Sequence, residues 1–253
     1  MAMDKLPIWS PVTTGYRDVL SALAAMPGLG VYALVIVVFF NVFDFFVPLD
    51  MDGGSLILGS ILRFVLSAAQ NFFLVPIMIA VHRFIILDEV MLRYLLEPNQ
   101  RIFRTFFGWL LALSALGLMF TSIFAQLGLP PVIAGALVVG GVFVTIVVMV
   151  RLTIFFPAIA VDAPGATASN AWEDSKGHGL NIFFILLLAT LPLIAVMFVV
   201  VVALGPGAQT GASGLAAIVL IGVAQTFFIL VCVAIASRLF QALADRLVRS
   251  SPT

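Results

Sequence analysis

Polar side chains at helical spacing lie inside otherwise apolar stretches of this sequence, and their chemistry is hydrogen bonding or solute contact within a membrane. Five of them, at positions i, i+3, i+7, i+10 and i+11, share one helix face: Ser60, Arg63, Ser67, Gln70 and Asn71. The candidates to face them from other segments are Asn41, Gln225 and Thr226. Such a stripe either lines a polar path for a solute or joins helices by hydrogen bonds worth about 0.6–2 kcal/mol each.

Asp44 and Arg63 are the ionisable residues predicted to lie within membrane spans. A charge in hydrocarbon costs about 2.5–3.5 kcal/mol on insertion scales, so we expect the two side chains to meet. An ion pair between them would lock two neighbouring spans together. Alternatively, Arg63 extends its charged end to the headgroup region alone.

Catalytic patterns are absent from the sequence. His82 and His178 are its only histidines, Cys232 is its only cysteine, and no His, Asp and Glu residues have the spacing of a metal site. The sequence also lacks a glycine-rich phosphate loop and a nucleophile elbow. We therefore predict no catalytic residue, no cofactor and no metal. Twelve cationic and twelve anionic residues balance, which does not favour a nucleic acid as partner.

The apolar stretches predict an all-α membrane protein. Of the 253 residues, 63% are hydrophobic and 9% are charged, whereas soluble domains carry about a quarter charged residues. A helix needs about 20 mostly apolar residues to cross a bilayer. Six stretches qualify: residues 29–47, 56–81, 106–124, 131–156, 182–204 and 215–237.

The positions of the basic residues predict the orientation of these spans. Apart from Arg63, every Lys and Arg lies in the N-terminal lead, in residues 81–105, in residues 151–179 or in the C-terminal tail. The turns at 48–55, 126–131 and 205–214 carry none. Because basic loops stay cytoplasmic, we expect a multi-pass protein with both termini in the cytoplasm.

Two or three amphipathic helices are predicted to lie at the cytoplasmic membrane surface. They cover residues 14–26, with Asp18 facing away from the apolar side, residues 84–97 and, more weakly, residues 166–176. In the second of these, acidic and basic residues form a solvated stripe at i, i+4 spacing, namely Glu89, Arg93 and Glu97. Prolines 76 and 192 are predicted to kink the second and fifth spans.

The order of segments suggests a threefold internal repeat. Each unit has a surface segment, an outward span, a short turn and an inward span that ends near Arg83, Arg151 or Arg238. We expect a cytoplasmic lead at residues 1–28, one six-helix transmembrane domain at 29–240 and a cytoplasmic tail at 241–253.

Two short runs resemble a known family. Residues 151–161 (RLTIFFPAIAV) followed by 171–178 (AWEDSKGH), together with residues 82–89 (HRFIILDE), are similar to YciC-like uncharacterised bacterial integral membrane proteins. The membrane domain attached to some glycerophosphodiester phosphodiesterases shares the pattern. The resemblance implies a six-span protein of the bacterial inner membrane. It implies no activity, because no stretch here is long enough to hold the phosphodiesterase domain.

These observations support two functional hypotheses. The first is a non-enzymatic protein that acts as an accessory or organising component of a membrane assembly, or in envelope lipid homeostasis. Its expected partners are membrane lipids and, in addition, other membrane proteins or further copies of itself. The alternative is a small-solute transporter or channel that uses the polar stripe of the second span.

Overall fold

The computed structural model describes residues 9–46, 56–120, 129–204 and 211–249. Within these ranges the chain is α-helical and contains no strand. Its helices are α1 (Trp9–Ala25), α2 (Pro27–Phe46), α3 (Leu56–Leu87), α4 (Arg101–Leu118), α5 (Pro131–Leu152), α6 (Phe155–Ala160), α7 (Ala168–Asp174), α8 (Gly179–Leu204) and α9 (Gly211–Leu243). Helices α2, α3, α4, α5, α8 and α9 are long and apolar enough to cross a membrane. The chain is therefore an all-α, multi-pass membrane protein.

All six predicted spans are confirmed as long apolar helices, and the second and sixth extend furthest past their predicted ends. Helices α3 and α9 continue to Leu87 and Leu243, past the predicted ends at residues 81 and 237. Their 32 and 33 residues correspond to roughly 50 Å, which exceeds the roughly 30 Å of a hydrocarbon core. Most of the three predicted turns lies outside the described residues.

Burial is concentrated at one end of the bundle, which we call the arginine end because it carries Arg83, Arg151 and Arg238. Its core contains the largest fully buried side chains, among them Phe106, Phe155, Ile182, Ile185, Ile235, Leu239 and His82. Towards the opposite end the helices expose their apolar faces, as Val139 (71% exposed) and Val199 (61% exposed) illustrate. The arginine end is therefore closed by packed side chains, whereas the opposite half is open.

Helix α1 packs into the arginine end, mainly against α9. Val19 is buried, and Gly15 permits the close approach: a Cβ at that position would lie 2.8 Å from Cγ1 of Ile235. The predicted helix is confirmed, its position at the membrane surface stays a prediction, and the prediction that Asp18 faces away was wrong. Its carboxylate turns to α9 because Arg238 supplies a partner there.

The predicted surface helix at residues 84–97 was wrong. Helix α3 ends at Leu87, since Asp88 has a left-handed backbone (φ 58°) that a helix cannot continue. Residues 88–97 then run without helical structure, and Glu89 pairs with Arg83 at 2.7 Å instead of forming a stripe with Arg93. The helix predicted at residues 166–176 is confirmed as α7, and the Thr167 hydroxyl caps it by accepting a hydrogen bond from the Asn170 backbone amide.

Tyrosine hydroxyls reach both proline-containing spans. Proline cannot donate a backbone hydrogen bond, which weakens the preceding helical turn. Tyr94 donates to the carbonyl of Phe73, three residues before Pro76, and Tyr16 donates to the carbonyl of Ala189, three residues before Pro192. Burial raises the pKa of both phenols, so they stay protonated and available as donors.

Candidate functional site

Ser67, Gln70 and Asn71 of the predicted stripe line one wall of a groove between α3, α8 and α9. The groove has a volume of about 730 Å³, within the range of ligand-binding clefts. Gln225 adds a fourth polar side chain from α9. The remaining wall is apolar and is formed by Leu74, Ile194, Met197, Phe198, Val201, Ile221, Phe228 and Ile229.

The groove is open on the side where its apolar lining is exposed. Phe198 and Val201 on its rim are 66% and 58% exposed. Towards the arginine end it is closed, because Leu74 and Leu230 are 2% and 3% exposed. The geometry is that of a lateral groove with a polar wall.

Gln70 is the unsatisfied member of that wall. Its Nε2 atom is buried and has no hydrogen-bond acceptor among the residues that the structure describes. A membrane interior offers no water to satisfy such a donor, and leaving it unpaired costs about 1–3 kcal/mol. The protein itself covers this atom, so an acceptor on a molecule in the groove would reach it once the Gln70 side chain has turned.

Asn41 and Gln225 satisfy each other. The Asn41 side-chain amide donates to Oε1 of Gln225 at 3.1 Å and so joins α2 to α9. Gly222 allows this close approach, since a Cβ there would lie 2.8 Å from Val38. Thr226 is buried and bonds the Gly222 carbonyl of its own helix. These three residues join or stabilise helices, which is the second of the two interpretations of the stripe.

The prediction that Asp44 and Arg63 form an ion pair was wrong. Both side chains are exposed, and no ion pair joins these two described residues. Asp44 lies two residues before the end of α2, whereas Arg63 lies seven residues into α3, so each can reach a polar boundary separately. Ser60 and Arg63 lie on α3 nearer to Leu56 than the groove does.

The arginine end contains a second set of polar contacts, which the sequence analysis did not assemble. His82 and Ser237 are buried and hydrogen-bonded at 2.8 Å. Because the Ser237 hydroxyl also lies 3.0 Å from the Val233 carbonyl, to which it donates, the Nδ1–H of His82 is the donor of the pair. Each of the two residues immediately precedes an arginine at the end of a predicted repeat unit. This equivalent position is the sequence feature from which their contact could have been predicted.

Each of the three arginines at this end contacts a different surface segment. Arg238 bonds Asp18 of α1 through Nε and a second guanidinium nitrogen, at 2.6 and 2.7 Å. Arg83 pairs with Glu89 and donates to the Ala160 carbonyl of α6. Arg151 donates to the Ser175 carbonyl that follows α7.

Asp174 holds the C-terminal tail. Its carboxylate accepts hydrogen bonds from the backbone amides of Asp245, Arg246 and Leu247 at 2.9–3.1 Å. Asp174 is therefore the residue to which the C-terminal tail is attached. Among the described residues, no three His, Cys, Asp or Glu side chains are placed to share a metal ion.

Comparisons with protein-family models, with curated proteins and with solved structures find no match to this chain. The resemblance to YciC-like proteins therefore stays a prediction.

Proposed function

We propose that this chain is a non-enzymatic protein of the bacterial inner membrane, with both termini cytoplasmic, that acts as an accessory component of a membrane assembly. The orientation follows from the basic residues, which favour the cytoplasmic side. The proposal is supported by one observation: the lateral groove is lined by Gln70, whose buried Nε2 atom has no acceptor among the described residues. The YciC-like resemblance and a role in envelope lipid homeostasis are compatible with this proposal.

The occupant that fits the groove is a transmembrane helix of another protein. Inter-helix contacts within a membrane depend on close packing and on side-chain hydrogen bonds, since apolar surface alone gives little preference over lipid. The groove offers both, with an apolar rim around Phe198 and a polar wall around Gln70. The partner helix would carry a Ser, Thr, Asn or Gln side chain at the depth of Gln70, because those side chains can accept from its amide.

A small-solute transporter is the second candidate, favoured by the four polar side chains at the groove. A solute on this route would meet the packed core of the arginine end, where Val75 and Val231 are fully buried. Transport therefore requires a rearrangement of the closed half. Solute flux into vesicles that depends on Gln70 would favour this candidate over the accessory role.

Replacing Gln70 with leucine is expected to release the partner without weakening the isolated protein. The leucine keeps the apolar contacts and removes a donor that the described residues leave unpaired. In blue-native separation of gently solubilised membranes, the wild type should migrate in a larger assembly and the Gln70→Leu variant as a single chain. The unfolding free energy of the purified variant in detergent should not fall.

Gln225→Leu is the matched control, since it removes the same type of side chain from α9 at the same groove. It breaks the bond to Asn41 and should lower the unfolding free energy by about 0.6–2 kcal/mol. An assembly that survives Gln70→Leu, or wild-type protein that migrates only as a single chain, would refute the proposal. An assembly whose mass is a multiple of the mass of this chain would show that the groove binds a second copy of the chain and not a helix of another protein.

A further inference from the structure

Arg151 differs from its two counterparts at the arginine end. Arg83 has the carboxylate of Glu89 and Arg238 that of Asp18, both at 2.6–2.7 Å. Arg151 has no carboxylate within ion-pair distance among the described residues. The acidic residues of neighbouring α7 are engaged elsewhere, Asp174 by the amides of the tail and Glu173 by Lys176 and Arg246.

The guanidinium of Arg151 is nevertheless held in one orientation. One of its terminal nitrogens donates to the Ser175 carbonyl at 2.8 Å, and its central carbon lies 5.5 Å from the centre of the Trp172 ring. Its Nε and other terminal nitrogen face Gly179, where a Cβ would lie 3.7 and 3.9 Å from them. This is the edge of an arginine that binds phosphate with two parallel hydrogen bonds.

An apolar cleft begins at this edge. It has a volume of about 340 Å³, lies between α5 and α8, and includes Arg151 and Gly179 in its lining. The other residues that line the cleft are apolar. Two of these side chains, Phe143 and Leu180, are 66% and 75% exposed. Phe143 and Arg151 are eight helical steps apart, so the cleft follows about 12 Å of α5, along which a lipid chain could lie.

We infer that this cleft is a binding site for an anionic phospholipid, with the lipid phosphate on Arg151 and an acyl chain along α5 and α8. The lipid phosphate would supply the anionic partner that the described residues do not give to Arg151. Basic pockets between transmembrane helices bind anionic headgroups by the same combination of charge and apolar wall. The site is separate from the α3–α8–α9 groove and does not depend on what fills that groove.

Lipid titration of the purified full chain, followed by native mass spectrometry, tests the inference. The probes are phosphatidylglycerol, phosphatidylcholine and inorganic phosphate. Phosphatidylglycerol should bind most tightly, and Arg151→Gln should weaken it about tenfold, the loss expected for a charge-assisted contact. Arg151→Lys should give an intermediate loss, because lysine lacks the two-pronged edge. Binding of phosphatidylcholine should not change.

Two further variants serve as control and as a second test. Arg249→Gln removes an exposed tail charge and should leave lipid binding unchanged. Val147→Trp fills the cleft while keeping Arg151, and should also weaken phosphatidylglycerol binding. Equal affinity in wild type and Arg151→Gln, no preference over phosphatidylcholine, or no effect of Val147→Trp would overturn the inference. Competition by inorganic phosphate alone would reassign Arg151 to a free anion.

Discussion

The variant Asp18→Asn is expected to lose about 2–3 kcal/mol of unfolding free energy, because it strands Arg238 at the α1–α9 contact. The Asp18 side chain is only 12% exposed and accepts two short hydrogen bonds from one guanidinium. Bidentate pairs of this kind are among the strongest polar contacts in proteins. Removing one partner leaves the other charge poorly solvated. Chemical or thermal unfolding in detergent measures the loss.

A double-variant cycle separates the pair from the rest of α1. Asp18→Asn combined with Arg238→Gln should cost less than the sum of the two single changes, since the double variant leaves no charge without a partner. The exposed pair of Asp245 and Arg249 is the control, and its removal should have little effect. Strict additivity at Asp18 and Arg238 would show that the ion pair does not stabilise the α1–α9 contact.

The variant Gly165→Ala is expected to detach the C-terminal tail. An added Cβ would lie 2.9 and 3.0 Å from the carbonyl oxygens of Arg249 and Leu247, and closer still to that of Arg246. These are backbone atoms, which cannot rotate away. The bond from the Gly165 amide to the Leu247 carbonyl, at 3.0 Å, would be lost with the contact. Overpacking of this kind costs about 1–3 kcal/mol.

Hydrogen–deuterium exchange resolves this effect to individual amides. Residues 245–247 should be protected in the wild type, because Asp174 binds their amides, and should exchange rapidly in Gly165→Ala. Asp174→Ala should produce the same loss without a steric overlap. Gly108→Ala is the control, since nothing lies within 4 Å of its added Cβ. Unchanged tail protection in both variants would contradict the docking geometry.

The membrane spans could be predicted because their signal is local. Length and apolar composition within one segment are sufficient to identify a crossing helix. The predicted ends of the second and sixth spans fell short because each prediction stopped at polar residues, His82 in one span and Ser237 in the other. These two residues form a buried hydrogen bond with each other, and the sequence of a single segment cannot reveal such a contact.

The wrong predictions for Asp18 and for residues 84–97 have the same cause: these residues contact partners that a single segment of sequence does not reveal. Asp18 was placed on the solvent side because it lies opposite the apolar positions of α1, whereas its partner Arg238 lies 220 residues away in the sequence. Residues 84–97 have helical spacing, but Glu89 pairs with Arg83 and Tyr94 reaches back to α3. In both segments, contacts in the tertiary structure determine the conformation that local periodicity failed to predict.

The polar stripe was predicted as a set of residues but not by role. Spacing alone places Ser67, Gln70 and Asn71 on one face. It cannot show that Gln225 bonds Asn41 whereas the Gln70 amide faces no acceptor among the described residues. The two amides differ because Gln225 has a partner on a neighbouring helix, whereas Gln70 lies at the groove between α3, α8 and α9.

Photo-crosslinking in intact membranes tests the proposed groove most directly. A benzoylphenylalanine placed at Phe198, on the groove, is compared with one at Phe143, on α5; both phenylalanines are 66% exposed. The account predicts a protein adduct of defined mass from position 198 that disappears with Gln70→Leu, and lipid adducts alone from position 143. The same lipid adducts from both positions, or a protein adduct at 198 that Gln70→Leu leaves unchanged, would contradict it.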